Sequence, residues 1–302
     1  MDLVVQVPVI PAPGETVLGD HFATIPGGKG ANQAVAAARL GAQVSLIGRV
    51  GQDAFGEQLL AQARREGIDV THVSCDDAAA TGVAMIAVDA QGQNSIAVAS
   101  GANYRLTAEH VSRAWAVLPA FDWLVMPLET PLATIARGVA LAQQSGTKVI
   151  LNPAPARPLS PHILQGVEVI VPNETEASQL TSMPVGTAEE RRLAAQQLWQ
   201  QGAHHVVLTL GSRGALVLDG ATGQFTEIAP YPVTVVDTTA AGDAFVAGLA
   251  VGLAEGKTLV EAAQFANAAG ALAVTKKGAQ PGMPTREDVD HLLIEGEVSW
   301  QH

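Results

Sequence analysis

Runs of apolar residues alternate along this chain with segments in which apolar residues recur at helical spacing. The runs lack polar alternation, which is typical of strands buried on both faces of a sheet. The predicted strands are residues 44–48, 123–126, 149–152, 167–172 and 205–210. The predicted helices are residues 30–40, 55–66, 132–145 and 187–201, followed by 244–253 and 259–274. This order predicts an α/β fold in which helices cover both faces of a mostly parallel sheet.

Two regions depart from this rhythm and alternate in the manner of half-exposed strands. They are residues 15–27 and residues 81–99, and a turn-forming stretch at 89–94 divides the second into a hairpin. We expect a small antiparallel β lid beside the main sheet, with strands approximately within residues 3–27 and 81–100. No linker, repeat or low-complexity tract interrupts the sequence, so residues 1–302 are predicted to form a single domain.

Composition excludes several classes of function. The 302 residues are 48% hydrophobic and 15% charged, which is typical of a soluble globular protein. The formal net charge is -12, and the 17 Lys and Arg residues form no basic run. A nucleic-acid partner is therefore not expected, because phosphate backbones require clustered cations. A small anionic substrate is still compatible, since helix ends and one or two lysines can hold it.

The single cysteine and the amino terminus narrow the picture further. With Cys75 as its only cysteine, the chain has no internal disulfide and no site of several thiolates. We expect this thiol to be buried or half-buried. The first fifteen residues have no basic region, and Gln6 and Pro8 break their apolar run, so neither a signal peptide nor a membrane-spanning helix is predicted. The expected location is cytoplasmic.

The first candidate site is the segment 236–245, VDTTAAGDAF. Ala240, Ala241 and Gly242 place backbone N–H groups with little side-chain obstruction at the start of a predicted helix, where the helix dipole favours negative charge. Such a cradle suits a transferring phosphoryl group, and Asp243 at its edge is a candidate general base. The alternative is an ordinary helix start in which Asp243 interacts with the dipole.

A second candidate is the glycine-rich segment 26–33, PGGKGANQ. Its three glycines allow a ligand close to the backbone, and Lys29 and Asn32 are donors suited to sugar hydroxyls. A tight turn entering an Ala-rich helix explains the same residues equally well. Neither this segment nor Gly256-Lys257-Thr258 matches a P-loop, because the first has no following Ser or Thr and the second has Val251 in place of the first glycine.

Two further candidates directly follow predicted strands. In the first, Asn173 and Glu176 are suited to orienting a hydrated Mg²⁺ near phosphates, or to capping a helix. In the second, residues 209–214 (TLGSRG) fit either a nucleotide site or a plain hairpin. All four candidates lie near strand ends, where open α/β sheets bind their ligands.

Taken together, these motifs resemble the PfkB carbohydrate kinases, and among them the ribokinases. The motifs are GGKGANQ (27–33), NPAPA (152–156), NETE (173–176), TLGSRG (209–214) and DTTAAGDAF (237–245). With KGAQP at 277–281, they resemble ribokinases more than fructose or adenosine kinases. The resemblance covers nearly the whole chain. It implies ATP-dependent phosphorylation of D-ribose at its 5-hydroxyl, with Mg²⁺ and K⁺ as cofactors and a homodimer that pairs through the lid strands.

The resemblance also assigns roles to individual residues. The sugar would be held by Asp2, Gly28, Lys29, Asn32, Glu129 and Asp243. Asp243 would be the catalytic base, and Ala240, Ala241 and Gly242 would hold the developing charge. ATP would contact Asn173, Thr209, Gly211, Ser212, Gly214, Gly242 and Asn267. The monovalent cation would be bound by Asp237, Thr239, Ala273, Lys276 and Gly278, and Mg²⁺ by Glu176 through water. Gly282 stands where a side-chain ligand to the cation is common, so that site is expected to be one ligand short.

The amino terminus departs from the family pattern. Ribokinases begin with a strand that runs into a Gly-Ser-x-Asn-x-Asp segment, whereas Met1 stands here just before the aspartate of that pattern, Asp2. We expect the first strand of the family fold to be missing, either because an internal methionine has been taken as the start or because of a real truncation. A parallel sheet without that strand would leave apolar side chains and ladder hydrogen bonds without partners.

Three other functions compete with a ribokinase. The nearest is another PfkB kinase that acts on deoxyribose, a different sugar or a nucleoside. A catalytically impaired sugar- or nucleotide-binding protein is a second alternative, suggested by the missing first strand, although the intact Asp243 argues against decay. A Rossmann dehydrogenase is disfavoured, because no G-x-G-x-x-G follows an early strand.

Overall fold

The protein is described by a computed structural model over residues 1–299. The strands are β1 (Asp2–Gln6), β2 (His21–Ile25), β3 (Gly48–Gly51), β4 (Val73–Asp76), β5 (Val83–Val88), β6 (Asn94–Ala99), β7 (Trp123–Pro127), β8 (Lys148–Asn152), β9 (Val169–Ile170), β10 (His205–Thr209), β11 (Ala215–Asp219) and β12 (Gln224–Ile228). The helices are α1 (Lys29–Arg39), α2 (Ala54–Arg65), α3 (Ala108–Trp115), α4 (Leu132–Ser145), α5 (Pro161–Leu164), α6 (Glu174–Thr181), α7 (Ala188–Gln200), α8 (Ala241–Ala254), α9 (Leu259–Ala273), α10 (Ala279–Gly282) and α11 (Arg286–Ser299).

The main sheet has six strands in the order β12-β11-β10-β9-β8-β7. Strands β7 to β10 run parallel, while β11 and β12 are added as antiparallel hairpins. Four predicted strands are found in this sheet, although 167–172 contracts to the two residues of β9. The mostly parallel α/β fold is therefore confirmed.

Helices cover both faces of this sheet, and adjacent strand residues show why. Ile150 packs with α8 and α9 on one face, while Leu151 packs with α4 and α7 on the other. Both side chains are fully buried. Because successive side chains on a strand point to opposite faces, a strand buried on both sides needs an unbroken apolar run. This is the pattern that predicted the fold.

The strand predicted at residues 44–48 is displaced and belongs to another sheet. The paired strand is β3, which runs parallel to β4 in a separate two-stranded sheet, and Ser45 makes only an isolated bridge to Asp69. Val44 and Leu46 instead pack beside α1. Their apolar character comes from this packing and not from the main sheet.

The lid differs in one respect from the prediction. It is a four-stranded sheet in the order β2-β1-β5-β6. The β5–β6 hairpin is found as expected, and Asp89 closes it by accepting hydrogen bonds from the N–H groups of Gln91 and Gln93. However, β1 and β5 pair in parallel, so the lid is mixed and not purely antiparallel. These two strands are far apart in sequence, and no tight turn imposes an antiparallel direction on them.

Strand β7 has a neighbour, β8, on only one side among the described strands. Leu46, Trp123 and Val125 line part of one large cavity that also reaches the start of α8. The expectation that a first strand is missing stays a prediction. Within residues 1–299, no helix combines the length and apolarity needed to cross a bilayer.

Strand alternation in β4 places two neighbouring side chains in opposite environments. Cys75 is exposed, so its predicted burial is wrong. Asp76 points inward and accepts hydrogen bonds from Arg49 Nε at 2.6 Å and Arg105 Nε at 2.5 Å. Burial by itself would raise the pKa of Asp76, but the hydrogen bonds from Arg49 and Arg105 outweigh it and hold this pKa well below its usual range.

Replacing Asp76 with asparagine should lower the melting temperature by several degrees at pH 7, because Arg49 then loses its charged partner inside the protein. The folded-state pKa lies below the unfolded value, so this stabilisation is present above the unfolded pKa and is lost as pH falls through the folded one. The difference in melting temperature between the two proteins should therefore shrink in acid. Asp77→Asn, at the exposed neighbouring position, is the control and should melt like the wild type. Equal melting of all three proteins at pH 7 would contradict the prediction.

Candidate active site

The first turn of α8 places Asp243 in the wall of a large cavity. Ala240 immediately precedes the helix with a left-handed backbone, φ 61°, which is uncommon for a residue other than glycine. This sharp entry turns the helix start toward the cavity. Asp243 is nevertheless only 4% exposed. It therefore lies in the first helical turn, as the simpler interpretation predicted, and is also buried at the site.

Both oxygens of the Asp243 carboxylate accept hydrogen bonds from α1. Asn32 Nδ2 donates to Oδ2 at 2.9 Å, and Gln33 Nε2 donates to Oδ1 at 3.0 Å. Gln33 Nε2 also donates to Asn152 Oδ1 at 3.1 Å. The sequence predicted Asn32 but not Gln33 or Asn152. Both missed residues lie within the motifs GGKGANQ and NPAPA, which was the only signal that marked them.

Burial raises the pKa of the Asp243 carboxyl above its ordinary value of 3.8. Attraction by Lys29 and the hydrogen bonds from Asn32 and Gln33 oppose this rise. A carboxylate destabilised by burial has an increased affinity for a proton. This is the property expected of a general base in a cleft.

The predicted sugar ligands lie in the same cavity. Glu129 Oε2 accepts a hydrogen bond from the backbone N–H of Lys29 at 2.9 Å. Gly28 has φ 95°, a conformation that favours glycine. A Cβ at Gly27 would displace the Asp2 carboxylate from its position. Burial also raises the pKa of Asp2 and of Glu129, while the Lys29 charge lowers both. The site thus gathers three carboxylates around one lysine.

A continuous cavity of about 1470 Å³ joins these groups to the start of α8. It also reaches the segment that follows β9 and the end of β10 in the main sheet. Its wall includes all of the predicted sugar ligands, the segment Ala240–Gly242, Asn173, Glu176 and Thr209. Gly211, Ser212, Gly214 and Asn267 lie outside that wall, as do the predicted cation ligands other than Thr239. The cradle at Gly242 is open, since a Cβ there would meet no atom within 4 Å. Ala241 N–H already donates to Thr238 O at 3.3 Å.

Asn173 and Glu176 form a capping box at the start of α6. Asn173 Oδ1 accepts from Glu176 N–H, and Glu176 Oε2 accepts from Asn173 N–H, each at 2.8 Å. The helix-cap interpretation is therefore confirmed, and both residues still face the cavity. Burial raises the pKa of Glu176, against the hydrogen bond from Asn173 N–H.

Residues 209–214 form a hairpin between β10 and β11, with a single 3₁₀ turn at Gly211–Arg213. Thr209 also makes a bridge to Asn173, which ties this hairpin to the capping box. Gly214 has φ 84°, and a Cβ there would collide with Ile228 O. The hairpin interpretation is confirmed. Asn267, on α9, donates its side-chain amide to Ala229 O at 2.7 Å.

The predicted cation ligands come from two adjacent segments that Asp237 joins. Its Oδ1 accepts from Thr239 N–H at 2.9 Å, and its Oδ2 accepts from Gly278 N–H at 2.8 Å. A Cβ at Gly282 would lie 3.0 Å from Ala273 O and 3.5 Å from Lys276 O, so these two carbonyls converge on that position. Backbone carbonyl oxygens are ligands suited to a monovalent cation. Within the described residues, no group of three His, Cys, Asp or Glu side chains is placed to bind a metal.

The model of the pfkB family carbohydrate kinases matches residues 1–286. The chain belongs to this family. It is 43% identical to the ribokinase of Haemophilus influenzae, over 97% of this chain and 95% of that protein. It is 41% identical to the ribokinase of Bacillus subtilis, over 97% and 96%, and 36% identical to the deoxyribokinase of Salmonella typhi, over 97% and 95%. The structure of Arabidopsis thaliana ribokinase complexed with ribose and ATP matches with a TM-score of 0.87 and 33% identity, over 97% of this chain and 95% of that one.

For a carbohydrate kinase with this site, kcat/KM should fall in acid at a pH above 3.8, because the raised pKa of Asp243 brings the inactive protonated form to higher pH. Lys29→Met should move this acid limb further toward neutral pH, because it removes the positive charge that opposes protonation. Lys148→Met, at the opposite end of β8 from Asn152, is the control. The measurement is the pH profile of kcat/KM for all three proteins. An acid limb that Lys29→Met leaves in place would contradict this electrostatic role.

Proposed function

We propose that this protein transfers the γ-phosphoryl group of ATP to the 5-hydroxyl of D-ribose, giving D-ribose 5-phosphate and ADP. The observation that carries the proposal is the position of Asp243. Its buried carboxylate lies beside hydroxyl-binding groups and at the open start of a helix, within one cavity. The ribokinases at 41–43% identity support ribose as the sugar.

The proton and the phosphoryl group move in opposite directions at Asp243. Its carboxylate accepts the proton of the 5-hydroxyl while that oxygen attacks the γ-phosphorus. The bond from the γ-phosphorus to the bridging oxygen breaks, and ADP leaves with the electron pair. Asp2, Lys29, Asn32 and Glu129 orient the sugar, since carboxylate oxygens accept from its hydroxyls and the amide and ammonium groups donate to them.

The start of α8 stabilises the phosphate charge that develops during transfer. The segment Ala240–Gly242 carries the positive end of the helix dipole, and no side chain blocks Gly242. The adenine nucleotide lies toward Asn173 and Thr209 and extends to Gly211, Ser212, Gly214 and Asn267. Near the phosphates, Glu176 would help to hold Mg²⁺, an ion that is usually bound by phosphates and waters with one or two carboxylates.

The segments around Asp237 and Gly278 would hold a monovalent cation, K⁺. The convergence of Ala273 O and Lys276 O supports this site. When bound, the cation would stabilise negative charge beside the start of α8.

We also infer a homodimer that pairs through the lid. The strand register places the exposed side chains of Phe22 and Met85 on one face of the lid sheet. Ile96 and Val98 lie on the opposite face, which lines the cavity. Exposed apolar side chains on the face turned away from the cavity, Phe22 and Met85, support a contact surface there. A cytoplasmic location agrees with the need for ATP as substrate.

The proposed reaction is tested by ADP release from MgATP with D-ribose, 2-deoxy-D-ribose, D-fructose and adenosine, each with and without K⁺. Phosphorus NMR of the product identifies the phosphorylated position. We expect the highest kcat/KM with D-ribose in K⁺ and a 5-phosphate product. A higher kcat/KM with deoxyribose would favour the activity of the 36% identical relatives. No turnover of any sugar by the folded protein would refute the proposal.

A further inference from the structure

Gln33 is a buried polar residue to which neither the sugar nor the nucleotide site assigns a role. It is 4% exposed, and Asn152, its partner, is 8% exposed. A buried amide is costly unless hydrogen bonds compensate for the lost water. The amide nitrogen of Gln33 donates two hydrogen bonds inside the protein, one to Asp243 Oδ1 and one to Asn152 Oδ1. Its role is therefore to be sought in the orientation of these two side chains.

The direction of these hydrogen bonds is determined by a backbone group. Asn152 Nδ2 donates to Val171 O at 3.0 Å, and a carbonyl oxygen can only accept. Asn152 must therefore turn its Oδ1 toward Gln33. Gln33 must in turn present its NH₂ group, which leaves it as a donor to Asp243. The chain Val171–Asn152–Gln33–Asp243 thus runs in one direction only.

This orientation of the Gln33 amide leaves one polar atom without a hydrogen bond. Gln33 Oε1 is buried without a hydrogen-bond partner among the described residues. Rotating the Gln33 amide would bring this oxygen toward Asn152 Oδ1 and Asp243 Oδ1 and would create two contacts between acceptors. This rotated arrangement of the Gln33 amide is excluded, because the hydrogen bond from Asn152 to Val171 O holds Asn152 in its orientation.

We propose that Gln33, anchored by Asn152, is a positioning residue that holds Oδ1 of Asp243 toward the sheet and leaves Oδ2 as the oxygen that accepts the sugar proton. Oδ2 lies on the side of Asn32, a predicted sugar ligand whose own Oδ1 is buried without a partner among the described residues. The sugar hydroxyls would enter on that side. Gln33 itself touches neither sugar nor phosphate in this arrangement, and it acts only through Asp243.

This inference rests on the proposed kinase reaction, and the first test is the pH dependence of kcat. Gln33→Met keeps the length of the side chain and removes the donor, so we expect kcat to fall about tenfold because the base loses its fixed orientation. We also expect the acid limb to move about one pH unit higher, because a hydrogen bond to a charged group is lost. The ribose KM should change less than twofold. Gln33→Glu should give a larger loss, since it places a second carboxylate beside the first.

Two further variants separate positioning from structure. Asn152→Ala leaves Gln33 in place but frees its amide to rotate, and it should move the acid limb in the same direction as Gln33→Met. In the double variant Gln33→Met/Asn152→Ala, kcat should fall by less than the product of the two single reductions, because both substitutions act through one chain of hydrogen bonds. Gln197→Met removes a comparable half-buried amide bonded to Thr181 O, far from the site, and should leave the profile unchanged.

A carboxyl titration by ¹³C NMR tests the inference independently of turnover. The Asp243 signal, assigned by its absence in Asp243→Asn, should titrate at a higher pH in Gln33→Met and in Asn152→Ala than in the wild type. If no sugar is phosphorylated by the wild type, the proposed function fails, while this titration still tests whether Gln33 and Asn152 act on Asp243. An unchanged titration and an unchanged acid limb in folded Gln33→Met would overturn the inference. If that variant does not fold, the same two results in Asn152→Ala decide it.

Discussion

Replacing Asp243 with asparagine should lower kcat for ribose-dependent ADP formation by about 10²–10⁴-fold, the range that general base catalysis contributes. The asparagine amide has nearly the shape of the carboxylate but cannot accept the proton of the 5-hydroxyl at neutral pH. The ribose KM should change much less than kcat, because the other sugar ligands remain. The measurement is steady-state ADP release with saturating MgATP and K⁺.

The fold should survive this substitution. Asn32 Oδ1 and Gln33 Oε1 are buried acceptors that lack partners among the described residues. Rotating the Asn32 amide would let that oxygen accept from the new amide at position 243. The melting temperature should therefore stay close to that of the wild type, and Asp77→Asn serves as the control for removing one carboxylate. A variant that folds and retains wild-type kcat would show that Asp243 is not the base.

Adding an apolar strand ahead of Met1 should raise the melting temperature by several degrees and lower the ribose KM. Strand β7 has no second neighbour among the described strands, and the apolar residues Leu46, Trp123 and Val125 line the cavity. A strand paired with the free edge of β7 would add ladder hydrogen bonds and bury its Val and Ile side chains, each worth about 1.5–3 kcal/mol before the cost of ordering. For a chain of 302 residues, each net kcal/mol corresponds to about 1.5–2 °C.

The expected effect on KM has a separate reason. Asp2 is a predicted sugar ligand at the first position of β1. An ordered strand before it would fix its backbone on both sides, and this should hold its carboxylate more firmly in the sugar site.

The test compares this chain with a version that carries a run of Val and Ile residues ending in Gly-Ser-Val-Asn before Met1. A Gly/Ser-rich extension of equal length is the matched control and should melt like the original chain, since it has no side chains to bury. Thermal unfolding and the ribose KM are measured for all three proteins. Equal melting temperatures and equal KM values for the apolar and Gly/Ser versions would refute the prediction.

Much of the local structure could be predicted because its causes are local. Runs rich in apolar residues identified β7, β8 and β10, and helical spacing identified α4 without error at either end. The segment from Thr258 to Glu261 forms a capping box at the start of α9, next to the boundary predicted from the apolar pattern. These signals depend on neighbours within a few residues.

The pairing of strands was harder to predict. Residues 44–48 have the composition of a buried strand, yet they pack on α1 and do not enter the main sheet. The parallel pairing of β1 with β5 likewise joins segments about eighty residues apart. An apolar run reports that a segment is buried, but it does not report which surface buries it.

The sequence by itself determined the α/β class, the positions of the motifs and the candidacy of Asp243 as a base. Only the tertiary structure decided that Gln33 and Asn152 orient this carboxylate and that Asp76 is held between Arg49 and Arg105. Gln33 is separated from Asn152 by 119 positions and from Asp243 by 210. Contacts over such distances arise when the chain closes on itself, and no local spacing or propensity encodes them. That is why the base could be found from its motif while the groups that position it could not.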